Sequence, residues 1–445
     1  MTPPPLDVVK AELAELIAIP SVSADPEHAD DVVRAAEWVR DAVVRAGGDA
    51  ELVPWGERPL VVGEIRASRD AHPAPTVLAY GHFDVQPPDP LDQWESPPFE
   101  LVERDDWLYA RGVADDKGQL FMLLKAVELL AGAGELPVNV RVVCDGEEEV
   151  GGHSVVDWLV QDERGADAAV VFDSAYVERG VPAFNIAVRG VCYLHVTVHT
   201  GRRDLHSGVY GGAALNAMHA LVRTLEGVLP RDGRLPEPLR AGIVPPSAEE
   251  VAGWDRLPSG EAELAGAGAR PADGGAADDF YIRTWAEPSL DVNGIAGGSA
   301  TLQKTVIPVE AQANLSIRLV GDQRPEEIIA ALERLLRESA PDGVDVEVDV
   351  WAQSPPGLVP SDAPAIQLGL DAFEHVLGAR PLLIRTGGAI PLVSALAQRG
   401  VPTVLTGFAL NDSNVHSPNE RLPVEHLALG IETACELFRR LGRLE

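Results

Sequence analysis

Two patterns of hydrophobic and polar positions divide the chain. In its first third, Leu6–Ile19 and Asp30–Ala46 carry apolar residues at three-to-four spacing, which predicts helices. The first stops at Pro20; the second opens on acids and stops at Gly47-Gly48. Leu60–Ile65, Thr76–Tyr80, Val138–Cys144 and Ala168–Phe172 are short Val-rich runs bounded by Gly, Pro or Asp, the signature of buried strands. Gly118–Ala131 between them predicts a helix. Strand–helix–strand alternation of this kind predicts an α/β fold with a mostly parallel sheet.

Around Gly190 the texture changes. Cys192–Thr200, Gln312–Val320 and Val344–Val350 alternate like half-exposed strands, with helices expected at Ala213–Leu229 and Pro325–Ser339. Between them, residues 230–280 are rich in Pro, Gly, Ala and acids and show weak periodicity. After the Pro-rich Ser354–Pro360, the first texture returns in helix Pro364–Leu377, strand Pro402–Leu405 and helix Val424–Leu441. The expected organisation is an α/β domain over 1–189 and 353–445, interrupted by a smaller α+β domain at 190–352.

Composition narrows the partners. The 445 residues carry 36 Lys+Arg against 69 Asp+Glu, a formal charge of −33, which disfavours nucleic acid or an anionic membrane. Cys144, Cys192 and Cys435 are widely spaced, fitting a reducing compartment better than a disulfide framework. The N-terminus lacks the basic-then-apolar order of a signal peptide, and no run of about eighteen apolar residues occurs. A cytoplasmic protein is expected.

The informative acids sit at strand ends. Gly81-His82-Phe83-Asp84 follows one strand, and residues i and i+2 share a face there, so Asp84 can orient the ring of His82. Asp115-Asp116-Lys117 opens a helix; Glu147-Glu148-Glu149-Val150-Gly151 follows a strand; Asp173 ends another; His416 lies in a polar loop before the last helix. Taken singly, each has an ordinary explanation: a loop H-x-D, an acidic helix cap, a solvated acidic run. Together they share one address, the sheet edge where α/β folds bind ligands. Two histidines and several carboxylates converging there make a dinuclear metal site, for which zinc or manganese is chemically natural.

LAYGHFDVQP (Leu78–Pro87), ARGVADDKGQ (Ala110–Gln119), GEEEVGG (Gly146–Gly152) and DLHSGVYGG (Asp204–Gly212) resemble the co-catalytic metallopeptidases of the carnosinase type. That family includes cytosolic non-specific dipeptidases, aminoacylases and succinyl-diaminopimelate desuccinylases. SIRLV (Ser316–Val320), RTGGAIP (Arg385–Pro391) and VHSPNE (Val415–Glu420) extend the likeness in order, and PSLDVNGI (Pro288–Ile295) favours the dipeptidase branch. The resemblance implies a three-layer catalytic domain with an inserted lid and dimerisation domain.

It also implies two divalent ions, zinc foremost with manganese or cobalt as alternatives: one on His82 and Asp173, the other on Glu149 and His416, with Asp115 bridging. The peptide after the bridging Asp, here Asp115–Asp116, is expected to be cis. Glu148 becomes the general base and Glu147 a flanking surface acid. His206, reaching in from the other subunit of a homodimer, becomes the oxyanion donor, and Arg318 clamps the substrate carboxylate. Gly388 and Ala389 belong to the same subsite. There the family commonly reads Gly-Gly-Ser-Ile-Pro; this chain has Ala389 in place of Ser, which removes a hydrogen bond of about 1 kcal/mol.

The expected reaction is hydrolysis of the amide bond of a dipeptide or short peptide with a free carboxylate. N-acyl amino-acid deacylation is the alternative. A non-catalytic binding relative is disfavoured because no implied ligand or base is missing.

Overall fold

The computed structural model describes residues 4–56, 58–68, 74–388 and 390–444, which form two compact units. The first comprises residues 4–186, 359–384 and 395–444; the second comprises Ala187–Leu358 with Arg385–Ser394. Among the described residues, no helix is long and apolar enough to cross a membrane.

A six-stranded sheet centres the first unit, in the order Asp49–Val53, Leu60–Ile65, Asn139–Asp145, Thr76–His82, Ala168–Phe172, Thr403–Thr406. The last four strands run parallel; the two at the other edge are antiparallel. Ala168–Phe172 is buried at every position, so helices must cover both faces, and this is why the strand reads as an unbroken apolar run. Helix Ala29–Arg45 turns Val32, Ala35, Ala36, Val39 and Val43 inward, a helical stripe that packs on the antiparallel edge. Helix Lys117–Gly132 is buried along most of its length, with Val424–Leu441 packed against it. The edge strand Asp49–Val53 escaped the sequence reading because its burial is only partial.

The second unit contains a four-stranded antiparallel sheet ordered Ser289–Ala296, Glu310–Leu319, Gly190–His199, Asp345–Ser354. Glu310–Leu319 alternates buried and half-buried side chains, because one face packs on helices Ala217–Glu226 and Pro325–Ser339 and the other stays open. The weakly periodic stretch holds two short helices, Ala248–Trp254 and Gly260–Gly266. Each starts at a serine cap, Ser247 forming a capping box with Glu250.

Residues Arg385–Ser394 cluster with the second unit, whereas the sequence reading kept all of 353–445 in the catalytic domain. The physical reason is a buried ion pair. Arg385 Nε donates to Glu250 Oε1 at 2.7 Å and Nη1 donates to the Val244 carbonyl at 3.1 Å, and removing either partner would strand a charge out of water.

Candidate active site

Parallel strands end side by side, and in the first unit those ends carry the chemistry. His82 terminates Thr76–His82, opposite Asp145 in the neighbouring strand, and Asp173 follows Ala168–Phe172. Asp115 comes from the loop before helix Lys117–Gly132; its peptide to Asp116 is cis, as the family resemblance implied.

Asp115 lies between the two histidines. Its Oδ1 is 3.1 Å from His82 Nε2 and its Oδ2 is 2.9 Å from His416 Nε2. His82 Nε2 is also 3.9 Å from Asp173 Oδ1, and His416 Nε2 is 3.1 Å from Glu149 Oε2. One donor atom each from His82, Asp115 and Glu149 falls within 4.8 Å of the others. Asp84 is fully buried; its carbonyl and Oδ1 are 3.2 and 3.4 Å from His82 Nδ1, while Oδ2 accepts from Glu149 N. The backbone carbonyl of Asp84 thus makes the hydrogen bond to the His82 ring, and its carboxylate ties this segment to the glutamate turn.

The turn is a single 3-10 turn, Glu148–Val150, closed by Gly151 at φ 70°, a left-handed position that glycine adopts freely. Gln86 Nε2 donates to the Glu149 carboxylate at 2.8 Å. Glu147 is not the surface acid expected. Its Oε1 accepts from Ser154 N at 2.8 Å at the start of the next helix, where a carboxylate is favoured.

The His416 loop is held in an uncommon shape: Asn414, His416 and Asn419 all have φ between 52° and 62°. Asn419 anchors it, its side chain donating to the Gln93 carbonyl and accepting from Glu95 N. Such positions cost about 1–3 kcal/mol each and persist only where the surroundings fix them.

Charge accounts for the rest. Burial lowers the His82 pKa, but Asp115, Asp84 and Asp173 outweigh it and raise the ring well above the usual range. Asp115 and Glu149 lift His416 to about 10. Asp115 itself is pushed down: burial raises it, and the two rings more than compensate. Asp173 goes the other way, raised by burial and by Asp115, Glu148 and Glu149. Glu148 is raised by burial, with Glu149, Asp115 and Asp84 adding to it against the pull of His82. Five carboxyl groups crowd two rings, and the mutual repulsion that raises Asp173 and Glu148 is what cations would relieve, so this donor set of imidazole nitrogen and carboxylate oxygen fits divalent ions.

Residues expected at the substrate end lie in the second unit. His206 is exposed on a two-residue strand paired with Val306–Ile307, and its Nδ1 accepts from Gly208 N at 3.0 Å. Arg318 sits half-buried on Glu310–Leu319, opposite Ser289 and Val191, with no hydrogen bond or ion pair among the described residues. Gly388 accepts from Arg189 N through its carbonyl. Ala389 lies outside the described residues.

The model of peptidase family M20/M25/M40 matches residues 78–440. This chain belongs to that family. A cysteinylglycine-S-conjugate dipeptidase from Corynebacterium striatum is 31% identical over 434 residues, covering 94% of this chain and 92% of the relative. A Cys-Gly metallodipeptidase from Schizosaccharomyces pombe is 29% identical, covering 98% and 96%. The crystal structure of human carnosine dipeptidase 1 superposes with a TM-score of 0.69 at 26% identity, covering 99% of this chain and 100% of that one. As an M20-family member the chain is a metallopeptidase, a hydrolase of amide bonds.

Sequence reasoning left one group of residues unassigned. Glu420, fully buried, accepts from Arg111 and from the backbone around Asp115; the only sign of it was its place at the end of VHSPNE. Asp145, whose pKa burial and nearby Asp84 raise to about 8, sat unremarked before the glutamate run.

Proposed function

We propose that this enzyme is a two-metal dipeptidase that hydrolyses dipeptides or short peptides bearing a free C-terminal carboxylate. The observation that carries the reading is the Asp115 carboxylate, one oxygen toward His82 and the other toward His416. His82 with Asp173, and His416 with Glu149, would hold one divalent ion each, and Asp115 would serve both. Zinc suits this mixed donor set, with manganese or cobalt as alternatives. Two such ions, when bound, would supply Lewis acidity that lowers the pKa of a water and polarises the amide carbonyl.

The chain's own residues do the rest. Glu148, its pKa raised by burial and by the carboxylates beside it, accepts the proton of the attacking water and returns it to the leaving amine. Asp84 keeps His82 in orientation. On the second unit, His206 is the donor to the developing oxyanion, and Arg318, free of any partner among the described residues, receives the substrate carboxylate through its guanidinium fork. Gly388 and Ala389 contribute to that subsite.

Val209, Tyr210, Leu302 and Val306, all exposed apolar side chains in the segments that carry and pair with His206, support a homodimer in which His206 serves the partner's site. Three buried free thiols support a cytoplasmic location.

The relatives' names, cysteinylglycine-S-conjugate dipeptidase and Cys-Gly metallodipeptidase, support dipeptides over N-acyl amino acids. The test is the ratio of rates on free-amine dipeptides and their N-acetylated counterparts, with and without chelator. Faster, chelator-sensitive cleavage of the free-amine series is expected; preference for the acetylated series would make the enzyme a deacylase.

A further inference from the structure

Two chain segments 301 residues apart deliver Asp115 and His416, and one carboxylate joins them. Glu420 stands four residues after His416 and is fully buried. Its Oε1 accepts from Ala114 N at 2.8 Å and from Asp115 N at 3.1 Å. Its Oε2 accepts from Arg111 Nη1 at 2.6 Å and from Gly112 N at 3.1 Å. The Glu420 carbonyl in turn accepts from Ala110 N at 3.1 Å, and Arg421 N closes the His416 loop on Ser413. Arg111 Nη2 reaches the Pro87 carbonyl at 3.2 Å, on the chain that leads out from His82 and Asp84.

We infer that Glu420 is a positioning residue, which fixes the backbone of Asp115 relative to His416 and so presets the spacing of the two ligand groups before metal arrives. This rests on the proposed reading of the cluster as a metal site. The physical case is the arrangement of donors. Three backbone N–H groups and one guanidinium converge on two carboxylate oxygens, and only a carboxylate offers two acceptor atoms with a charge to match Arg111, at a reach set here by the glutamate chain length. An amide in place of the carboxylate would point its NH2 at N–H donors and leave Arg111 without a buried counter-charge. Outer partners of this kind typically change metal affinity by roughly 10- to 100-fold.

Asp162 provides the control. It is a half-buried carboxylate with four hydrogen bonds, two from Arg141 and two from the amides of Arg164 and Gly165, and none of these partners belongs to the cluster.

The experiment titrates Mn²⁺ and Zn²⁺ into metal-free protein by calorimetry for wild type, Glu420→Gln, Glu420→Asp and Asp162→Asn. It adds hydrogen exchange at the amides of Gly112, Ala114 and Asp115. Glu420→Gln is expected to weaken metal binding on the order of 10- to 100-fold and to expose those amides. Glu420→Asp should fall between it and wild type. Asp162→Asn should lower the melting temperature yet bind metal as wild type does.

Wild-type affinity in folded Glu420→Gln, or an equal loss in Asp162→Asn, overturns the inference. If Glu420→Gln does not fold, the same criterion applies to Glu420→Asp. A wild-type protein that binds neither ion would instead overturn the proposed function, a result distinct from failure of the positioning role.

Discussion

The two sheets of this chain treat polar groups in opposite ways. In the first unit, four parallel strands finish at one edge, so whatever follows each strand is gathered with its neighbours: His82, the turn after Asp145, and Asp173. In the second, neighbouring strands run antiparallel, so successive strands end at opposite edges and polar residues pair locally across the sheet. His195 meets Asn314 at 2.7 Å, and Arg189 meets Ser289 Oγ at 2.6 Å. The exception is Arg318, which has a guanidinium and no partner among the described residues. Topology thus concentrates unlike groups in the first unit and disperses them in the second, where Arg318 is the one arginine on the four strands.

Breaking the first unit's edge should have the largest effect. Glu148→Ala is expected to lower kcat by at least 10²–10⁴-fold, the usual share of a general base, while bound metal measured by elemental analysis stays unchanged. Loss of metal would instead make Glu148 a ligand. Next comes the second unit's donor: His206→Ala should cost roughly 10²–10³-fold in kcat. Mixing it with Glu148→Ala protein should restore part of the activity, since half of the sites in mixed dimers would hold both intact groups. No recovery would confine His206 to its own subunit.

Arg318→Lys sharpens the comparison further. Replacing the fork by a point charge should raise KM roughly 10- to 100-fold for dipeptides, with little change for their C-terminal amides. An equal effect on both would remove Arg318 from carboxylate recognition. The smallest effect is on stability. Burial and neighbouring Asp84 raise Asp145 to about 8, so the folded, metal-free protein holds a proton there that the unfolded chain releases near the ordinary carboxylate value. Its contribution to stability is therefore full at low pH and declines as pH rises from about 4 through 8. Asp145→Asn should flatten that part of the stability–pH curve, as followed by thermal unfolding of metal-free protein; an unchanged slope would mean that Asp145 ionises normally.

What could be read from the sequence follows the same division. A buried parallel strand is a continuous apolar run, so Ala168–Phe172 was legible to the residue; the antiparallel Leu60–Ile65 was too, through its Leu-Val-Val start. Helices Pro325–Ser339, Pro364–Leu377 and Val424–Leu441 were too, their apolar stripes opening beside a proline. Ser289–Ala296 was not read as a strand, because most of its side chains are exposed and it lacks an apolar stripe. The histidines and acids that gather at this edge stood out in the sequence because such residues at strand ends are chemically unusual. Glu420 was not, since the backbone N–H groups it accepts from come from about 300 residues away, and beyond its place in VHSPNE nothing local marks it. The grouping of Arg385–Ser394 with the second unit was hidden for the same reason: Glu250, the partner of Arg385, is 135 residues distant.

The central claim is that Asp115 serves two ions at once. Its most direct test is to strip the protein with chelator, add back Zn²⁺ or Mn²⁺ in steps, and follow dipeptide hydrolysis against bound metal. Activity that appears as the chain takes up metal and saturates at two ions per chain is the predicted result. Full activity in the stripped protein, or saturation at one ion with no second bound, would contradict it.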